Sequence, residues 1–446
     1  MRRLRPPSGG LWSNTDFLRL WTGQSISELG SQVSQLAIPW LAAVELHASP
    51  LAFSLLGVLG FLPFILFALP AGVWVDRLRR RQILIVGDSA RAVLLAMIPV
   101  LWFAGVLEIW HLLVLEFLIG IFTVFFDVAY QSYLPALIER EHLVDGNSKL
   151  QVTVGIAQVG GPSLAGALIG AITAPYAILV DSMSFVISSV FMLRMRHREN
   201  LPRQDTDEPR PRMWPQVKEG LAWVVGHRNL RAIAGCTGTS NFCSSLMFAI
   251  VILYMVRVLH LSAFEAGAVF AVGSAGSIVG ALFANRLGLR LGLGTAIVST
   301  AVIFSFGGLA YPLAPKSFPL PLLMAGQLLF GFSAIAYNIL QVSYRQAITP
   351  ERLQGRMNAA MRWIVWGTIP LGTLAGGAIA QTTSLHTALW VGALLGTPTF
   401  LWVLLSPLRS VREIPQPVDT LTPAQAELAG GLVEGGPLAE PSAADA

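Results

Sequence analysis

Ala71-Gly72-Val73-Trp74-Val75-Asp76-Arg77-Leu78 returns 209 positions later as Gly280-Ala281-Leu282-Phe283-Ala284-Asn285-Arg286-Leu287. Two further pairs keep the same step. Ser132-Tyr133, followed by Asn147 and Leu164-Ala165-Gly166, reappears as Ser343-Tyr344, then Asn358 and Leu374-Ala375-Gly376, at offsets of 211, 211 and 210. One short match arises by chance, but three in the same order at one offset rarely do. The chain therefore reads as one unit written twice. Such repetition is the mark of membrane proteins built as two similar halves that rock about a site between them.

The unit is written in a membrane vocabulary. Hydrophobic residues make up 54% of the 446 and charged residues 12%, with a mean hydropathy of +0.62, which leaves too little polar surface to cover a soluble globule. Apolar stretches of the roughly 20 residues that cross a bilayer run at 20–45, 52–75, 82–104, 110–134, 152–172 and 175–193. They resume at 232–255, 264–285, 291–313, 319–345, 359–381 and 386–406. Lipid offers backbone groups no partner, so each stretch must be a helix, and the alternation of a membrane barrel is absent. The expected fold class is an all-α integral membrane protein with twelve transmembrane helices in two six-helix halves.

The expected organisation is an N-terminal half over 1–193, a linker over 194–231, a C-terminal half over 232–408 and a disordered tail over 409–446. The linker carries Pro202, Pro209, Pro211 and Pro215. Its 214–225 portion has the composition of a short helix with Trp214 and Trp223 on the lipid boundary; a solvated linker is the alternative. The tail is rich in Pro, Gly, Ala and Glu, a composition that does not build a core.

Of the 30 Lys and Arg, 27 fall in or at the rim of the termini and the even-numbered connections, and only Arg257 and Lys316 fall opposite. The positive-inside rule then places both termini in the cytoplasm of a multi-pass protein of the inner cell membrane. The same charges explain the pI near 9.5 without nucleic acid. Met1 to Arg19 is polar and the first apolar run is a full span, so no cleavable signal is expected. Cys236 and Cys243, seven apart in span seven, read as packing residues. No metal, cofactor or catalytic constellation is expected, and the protein is not read as an enzyme.

Gly72-x-x-x-Asp76-Arg77-x-x-Arg80-Arg81 lies between spans two and three. Gly72 is suited to close helix approach, Asp76 to a helix N-terminus, and the arginines to the inner membrane surface. This segment resembles the signature loop of the major facilitator superfamily, G-x-L-x-D-R-x-G-R-R, with Trp74 in place of Leu and Arg79 in place of the second Gly. The resemblance runs over residues 15–408. It implies that Asp76 holds a cytoplasmic gate shut in the outward-facing state by acting on the start of span eleven, at Asn358 to Arg362.

Span five carries Gly160-Gly161-Pro162-Ser163-Leu164-Ala165-Gly166. Pro162 removes one helix hydrogen bond and the small residues permit close approach. It resembles the antiporter motif of drug exporters, with Gly161, Pro162 and Gly166 as its matching positions; Gly-mediated packing explains the glycines equally well. Asp88-x-x-Arg91, with Tyr133-Leu134-Pro135-Ala136-Leu137, Asn147 and Gly161-Pro162, is similar to the branch holding macrolide efflux proteins and the enterobactin exporter. The span-four Arg motif of other drug:proton antiporters is missing.

Polar stripes at helical spacing mark candidate cavity residues. They are Gln24, Glu28 and Gln35 on span one, Asp127 and Gln131 on span four, Asn241 on span seven, and Gln327, Asn338 and Gln341 on span ten. The resemblance implies that these four spans line a central cavity. A charge at mid-bilayer is costly unless paired or wetted, which makes intramembrane acids functional candidates. Glu28 falls near mid-depth, Asp127 lies nearer the cytoplasm where Arg91 is placed to neutralise it, and these three are the proton-coupling candidates. The second half has no acid within its spans except Glu265 at an edge, so it is expected to supply amides and the walls Phe242, Phe248 and Phe330.

The expected function is proton-coupled efflux of a bulky organic small molecule, a drug or a siderophore, by a monomer whose other partner is membrane lipid. A lysophospholipid flippase of the same fold is the alternative, and a non-transporting receptor the alternative of another class. No G-x-x-x-x-G-K-[ST] loop occurs to hold a nucleotide.

Overall fold

The computed structural model describes residues 11–75, 78–138, 142–195 and 213–413. Six long helices form the first half: α1 (Thr15–Val44), α2 (Pro50–Val75), α3 (Arg80–Phe103), α4 (Ile109–Leu137), α5 (Leu143–Ile172) and α6 (Ala174–Leu193). A short helix, α7 (Met213–Gly226), precedes α8 (Arg228–Arg257), α9 (Ala263–Leu291), α10 (Leu293–Gly307) and α11 (Leu320–Ile348). The next span is broken at Gly367 into α12 (Glu351–Trp366) and α13 (Thr368–Thr382), and the last runs from α14 (Leu385–Gly396) through a 3₁₀ turn into α15 (Leu401–Leu404).

Among the described residues, eleven helices are long and apolar enough to cross a bilayer. The helix outside that set is α1, which has 30 residues but carries Gln24, Glu28, Gln32 and Gln35 on its length. Polar capping fixes where helices begin. Asn14 accepts the N–H groups of Asp16 and Phe17 at 3.1 and 3.0 Å at the start of α1, and Ser262 and Glu265 form a reciprocal box at the start of α9.

Small residues decide which helices touch. A Cβ on Gly276 would strike the Leu328 carbonyl and one on Gly331 the Gly273 carbonyl, so α9 and α11 meet backbone to backbone. The Gly276–Gly280 pair is the four-residue spacing that permits such approach. Gly72 makes no such contact, since nothing lies within 4 Å of a Cβ built there, whereas its repeat partner Gly280 is pressed against the Phe332 carbonyl. Among the described residues, the close approach expected of Gly72 is therefore found at its echo, where α9 has α11 alongside; the end of α2 packs on α4 through other positions, with Val75 buried in one core with Phe126 and Trp74 stacked on Phe125 at 5.6 Å.

The two faces of the bundle are built differently. On the face away from the termini, one apolar core includes Val33 and Ile38 of α1, Ile98 of α3, Leu253 of α8 and Ala263 of α9. The Arg257 guanidinium donates there to the carbonyls of Ala43 and Ala48 at 3.2 and 2.9 Å. On the face of the termini, the core of Phe17, Leu84, Phe126 and Met192 comes from the first half alone, and that of Leu230, Leu293, Tyr344 and Met357 from the second alone. The halves are joined at the far face and have separate cores at the near one.

The linker helix α7 docks on the second half. Glu219 takes hydrogen bonds from Arg352 (3.1 Å) and Arg356, and Trp223 donates to Thr349 at 3.4 Å. Trp223 is thus partly buried against the core of the second half, with its indole N–H on the hydroxyl of Thr349 between α11 and α12. The expected disorder of the tail beyond Glu413 and the rest of the linker lie outside the described residues.

Candidate functional site

A cavity of about 700 Å³ opens between the halves, lined by α1 and α5 from the first and by α8, α9 and α11 from the second. Helical spacing aligns its polar groups. Glu28, Gln32 and Gln35 share one face of α1, Ser274 and Ser277 one face of α9, and Gln158 and Gln327 complete the set. Phe248, Phe270 and Phe330 form apolar walls, with Phe248 and Phe330 edge-on at 5.3 Å between centroids, a favourable aromatic geometry. Among the described residues, Glu28 is the one carboxylate in this lining, and it accepts a long hydrogen bond of 3.5 Å from Gln32.

Behind Glu28 lies a buried charge cluster. Arg91 pairs with Asp88 one turn away on α3, and its guanidinium sits 4.2 Å from the ring centre of Phe126 and 4.3 Å from that of Phe185. Two ring faces and one carboxylate thus hold the cation. Asp181 accepts from Ser34 and, at 2.9 Å, from Ser184. The expected neutralisation of Asp127 by Arg91 takes a different form: the ion pair goes to Asp88, which shares a helix face with Arg91 at i, i+3. Arg91 remains within Coulombic reach of both Glu28 and Asp127. Half-buried Asp127 makes no hydrogen bond among the described residues.

Of the other cavity candidates, Gln35 and Gln327 join Glu28 in the lining. Gln24, Gln131, Asn241, Asn338 and Gln341 do not. Asn241 donates to the Val365 carbonyl at 3.2 Å, one of the acceptors freed where the span breaks at Gly367. Gln341 donates to Asn338 at 2.9 Å, which turns these two amides toward each other, while the buried Gln341 oxygen has no partner among the described residues. Gln131 is exposed near the end of α4, and the Gln24 oxygen is buried without a partner among the described residues. Phe242 also stands outside the lining, with its carbonyl against Gly372 of α13.

Sequence reasoning missed Gln32, Gln158, Ser274 and Ser277. Gln32 stands one turn from Glu28 and was reachable by helical spacing. The other three lie on spans five and eight, where polar stripes were not expected to face the cavity.

The span-five motif divides its work between two neighbours. A Cβ on Gly161 would enter the Gln32 side chain on α1, and one on Gly166 would strike the Ala263 carbonyl on α9; Gly267 of α9 in turn lies against the Pro162 carbonyl. The motif is therefore part of the closure at the face away from the termini. Arg81 caps the end of α6 by donating to the carbonyls of Met192 and Leu193 at 3.1 and 2.7 Å, and Arg80 opens α3. Asp76 and Arg77, to which the gate role was assigned, lie outside the described residues.

With this geometry in hand, the likeness to known proteins is informative. A major facilitator family model described as "Transmembrane secretion effector" matches residues 11–428. The chain is 27% identical over 393 residues to the uncharacterized MFS-type transporter YfiS of Bacillus subtilis (strain 168), covering 85% of this chain and 88% of the relative. It is 26% identical over 373 residues to the multidrug efflux pump Tap of Mycolicibacterium fortuitum, covering 80% and 87%. It is 27% identical over 217 residues to macrolide efflux protein A of Streptococcus pyogenes, covering 49% and 53%. Among solved structures, the nucleoside transporter NupG aligns over 87% of this chain and 98% of its own, with a TM-score of 0.65 at 10% identity. A bacterial homologue of the iron transporter ferroportin, in its inward-facing state, aligns over 87% and 98% with a TM-score of 0.62 at 18% identity. At such identities these two structures speak to the fold alone.

Proposed function

The chain belongs to the transmembrane secretion effector family of the major facilitator superfamily, a multi-pass membrane transporter of small molecules, and we propose that it exports a bulky amphipathic organic compound in exchange for protons. The observation that carries this reading is the composition of the cavity: one carboxylate, Glu28, among amides, hydroxyls and phenyl rings, in a space of about 700 Å³. That volume falls in the usual range for organic ligands of about 300–1,000 Å³. The rings and amides suit a large, partly apolar molecule, and the carboxylate supplies a site whose charge changes when a proton binds. The efflux activities in the names of two relatives point the same way.

Positive-inside placement puts both termini in the cytoplasm, so the joined face is the outer one and the cavity belongs to a cytoplasm-open state. Exchange requires protonation of Glu28 and binding of substrate to bias one conformational equilibrium in opposite directions. Asp127 and Arg91 lie close enough to modulate that proton through their charges. In this reading the protein acts as a monomer in the cell membrane, and Asp76 closes the cytoplasmic side in the alternate state.

Glu28→Gln fixes the uncharged form. Uptake into inverted vesicles driven by a pH gradient, assayed against a panel of drugs, siderophores and lysolipids, should fall on the order of tenfold or more, in keeping with couplings of about 1–3 kcal/mol. Substrate exchange without a gradient should persist. Full gradient-driven uptake by the variant would remove Glu28 from the mechanism, and uptake of lysolipids alone would replace the exporter reading with that of a flippase.

A further inference from the structure

A second groove lies outside the central cavity and shares no residue with it. About 370 Å³ in volume, it runs between the first turns of α8, at Arg228 and Arg231, and the end of the last span, at Leu401, Trp402 and Leu405. We propose that this groove binds an anionic phospholipid of the leaflet on the side of the termini, with the headgroup phosphate on the two arginines and an acyl chain along the apolar wall.

Three observations carry the assignment. First, the arginine charge is available. Arg228 is exposed and has no hydrogen bond or ion pair among the described residues, while Arg231 gives one N–H to the Val225 carbonyl at 3.3 Å. Among the described residues, no Asp or Glu lines the groove to satisfy them.

Second, the wall is apolar and faces outward: Leu401, Trp402 and Leu405 are 38%, 49% and 72% exposed. Large exposed apolar groups on a spanning helix meet acyl chains, and a Trp near the end of a span sits at headgroup depth. Trp402 is held in place from behind, because Gly235 of α8 leaves just enough room for its indole.

Third, the two parts are arranged as an amphiphile is, with cations at the rim and the apolar path leading away from them. Basic recesses between spans at the membrane surface are suited to anionic headgroups. A free phosphate would use the arginines but not the wall, and a zwitterionic lipid would bring an ammonium group toward them. The helix end itself adds little, since the ring of His227 already accepts the Leu230 N–H. Because Arg231 also ties the end of α7 to α8, the lipid would brace the corner where the linker enters the second half. This inference is independent of the exported compound and of proton coupling.

The test is native mass spectrometry of the full chain, purified in detergent and offered equimolar phosphatidylglycerol and phosphatidylcholine. The wild type should retain phosphatidylglycerol with a preference on the order of tenfold, given two arginines at a membrane surface. Arg228→Gln/Arg231→Gln should lose that preference, and Arg286→Gln/Arg290→Gln, on the same side of the membrane, should keep it. Equal retention of both lipids by the wild type, or unchanged preference in the first double variant, would overturn the proposal. Should that variant fail to fold, Leu405→Glu places a repelling charge at an exposed wall position and must abolish the preference; its survival there would also overturn it. Inorganic phosphate offered alone should neither raise the melting temperature as phosphatidylglycerol does nor displace the lipid. If it does both, the site is one for free anions and the lipid assignment fails.

Discussion

Arg91 shows how one residue can carry several loads. Its charge is balanced by Asp88, its two faces are covered by Phe126 and Phe185, and its field extends to Glu28 and Asp127. Removing one member of such a buried pair leaves an uncompensated charge, a loss of about 3–5 kcal/mol, while replacing both with neutral groups is often tolerated. Arg91→Met should therefore lower the melting temperature sharply, and Asp88→Asn/Arg91→Met should recover most of it. A double variant as unstable as the single one would show that the packing of the guanidinium between the rings, not its charge balance, holds the site. Activity separates the two roles further: if Arg91 tunes the proton on Glu28, the stable double variant should shift the pH at which gradient-driven uptake is half-maximal.

At the scale of elements, the docking of α7 raises a question of which contact matters. Glu219 meets two arginines, but the side chains involved are 34–67% exposed, and exposed pairs contribute only about 0–1 kcal/mol. The backbone contact is more demanding. Gly220 lies against the Arg356 carbonyl with no room for a Cβ, and Val224 beyond it is fully buried. Glu219→Gln should thus change the stability by no more than about 1 kcal/mol, whereas Gly220→Leu should lift α7 away. In a Val224→Cys background, thiol labelling should stay slow with Glu219→Gln and become fast with Gly220→Leu. Fast labelling in both would mean that the ion pairs are the true clasp.

For the whole molecule, the joined face must open if the central site is to be reached from both sides of the membrane. Gly57 of α2 faces Thr373 of α13 across the halves, with 3.5 Å between a Cβ built at Gly57 and the Thr373 methyl. This is a separation compatible with a disulfide after modest adjustment. Gly57→Cys/Thr373→Cys should cross-link on oxidation, stop transport and regain it on reduction, with either single variant unaffected by oxidant. Transport that continues at full rate in the cross-linked protein would exclude opening at this face.

How much of this was legible beforehand differs with scale. The repeat at Ala71 and Gly280, the apolar run lengths and the spacing of Gln24, Glu28 and Gln35 were sufficient for helices in membrane, two halves and a polar face on α1. Each depends on periodicity along one chain segment, which lipid makes strict by denying backbone groups any other partner. Glu28 and Gln35 were found as cavity residues for that reason. What a side chain meets across a helix interface obeys no such local rule. Asn241 and Gln341 have the same composition and spacing signals as Gln327, yet one braces a broken span and the other pairs with Asn338. Arg91 was foreseen near Asp127, but it pairs with Asp88 between two rings that come from α4 and α6. The sequence by itself determined the helices, their number per half and the amphipathic face of α1, because hydrophobic periodicity is a property of consecutive residues. Only the tertiary structure decided which face of the bundle is joined, which amides reach the cavity and which arginines stand free, because those depend on the contacts that small residues permit between helices far apart in the chain.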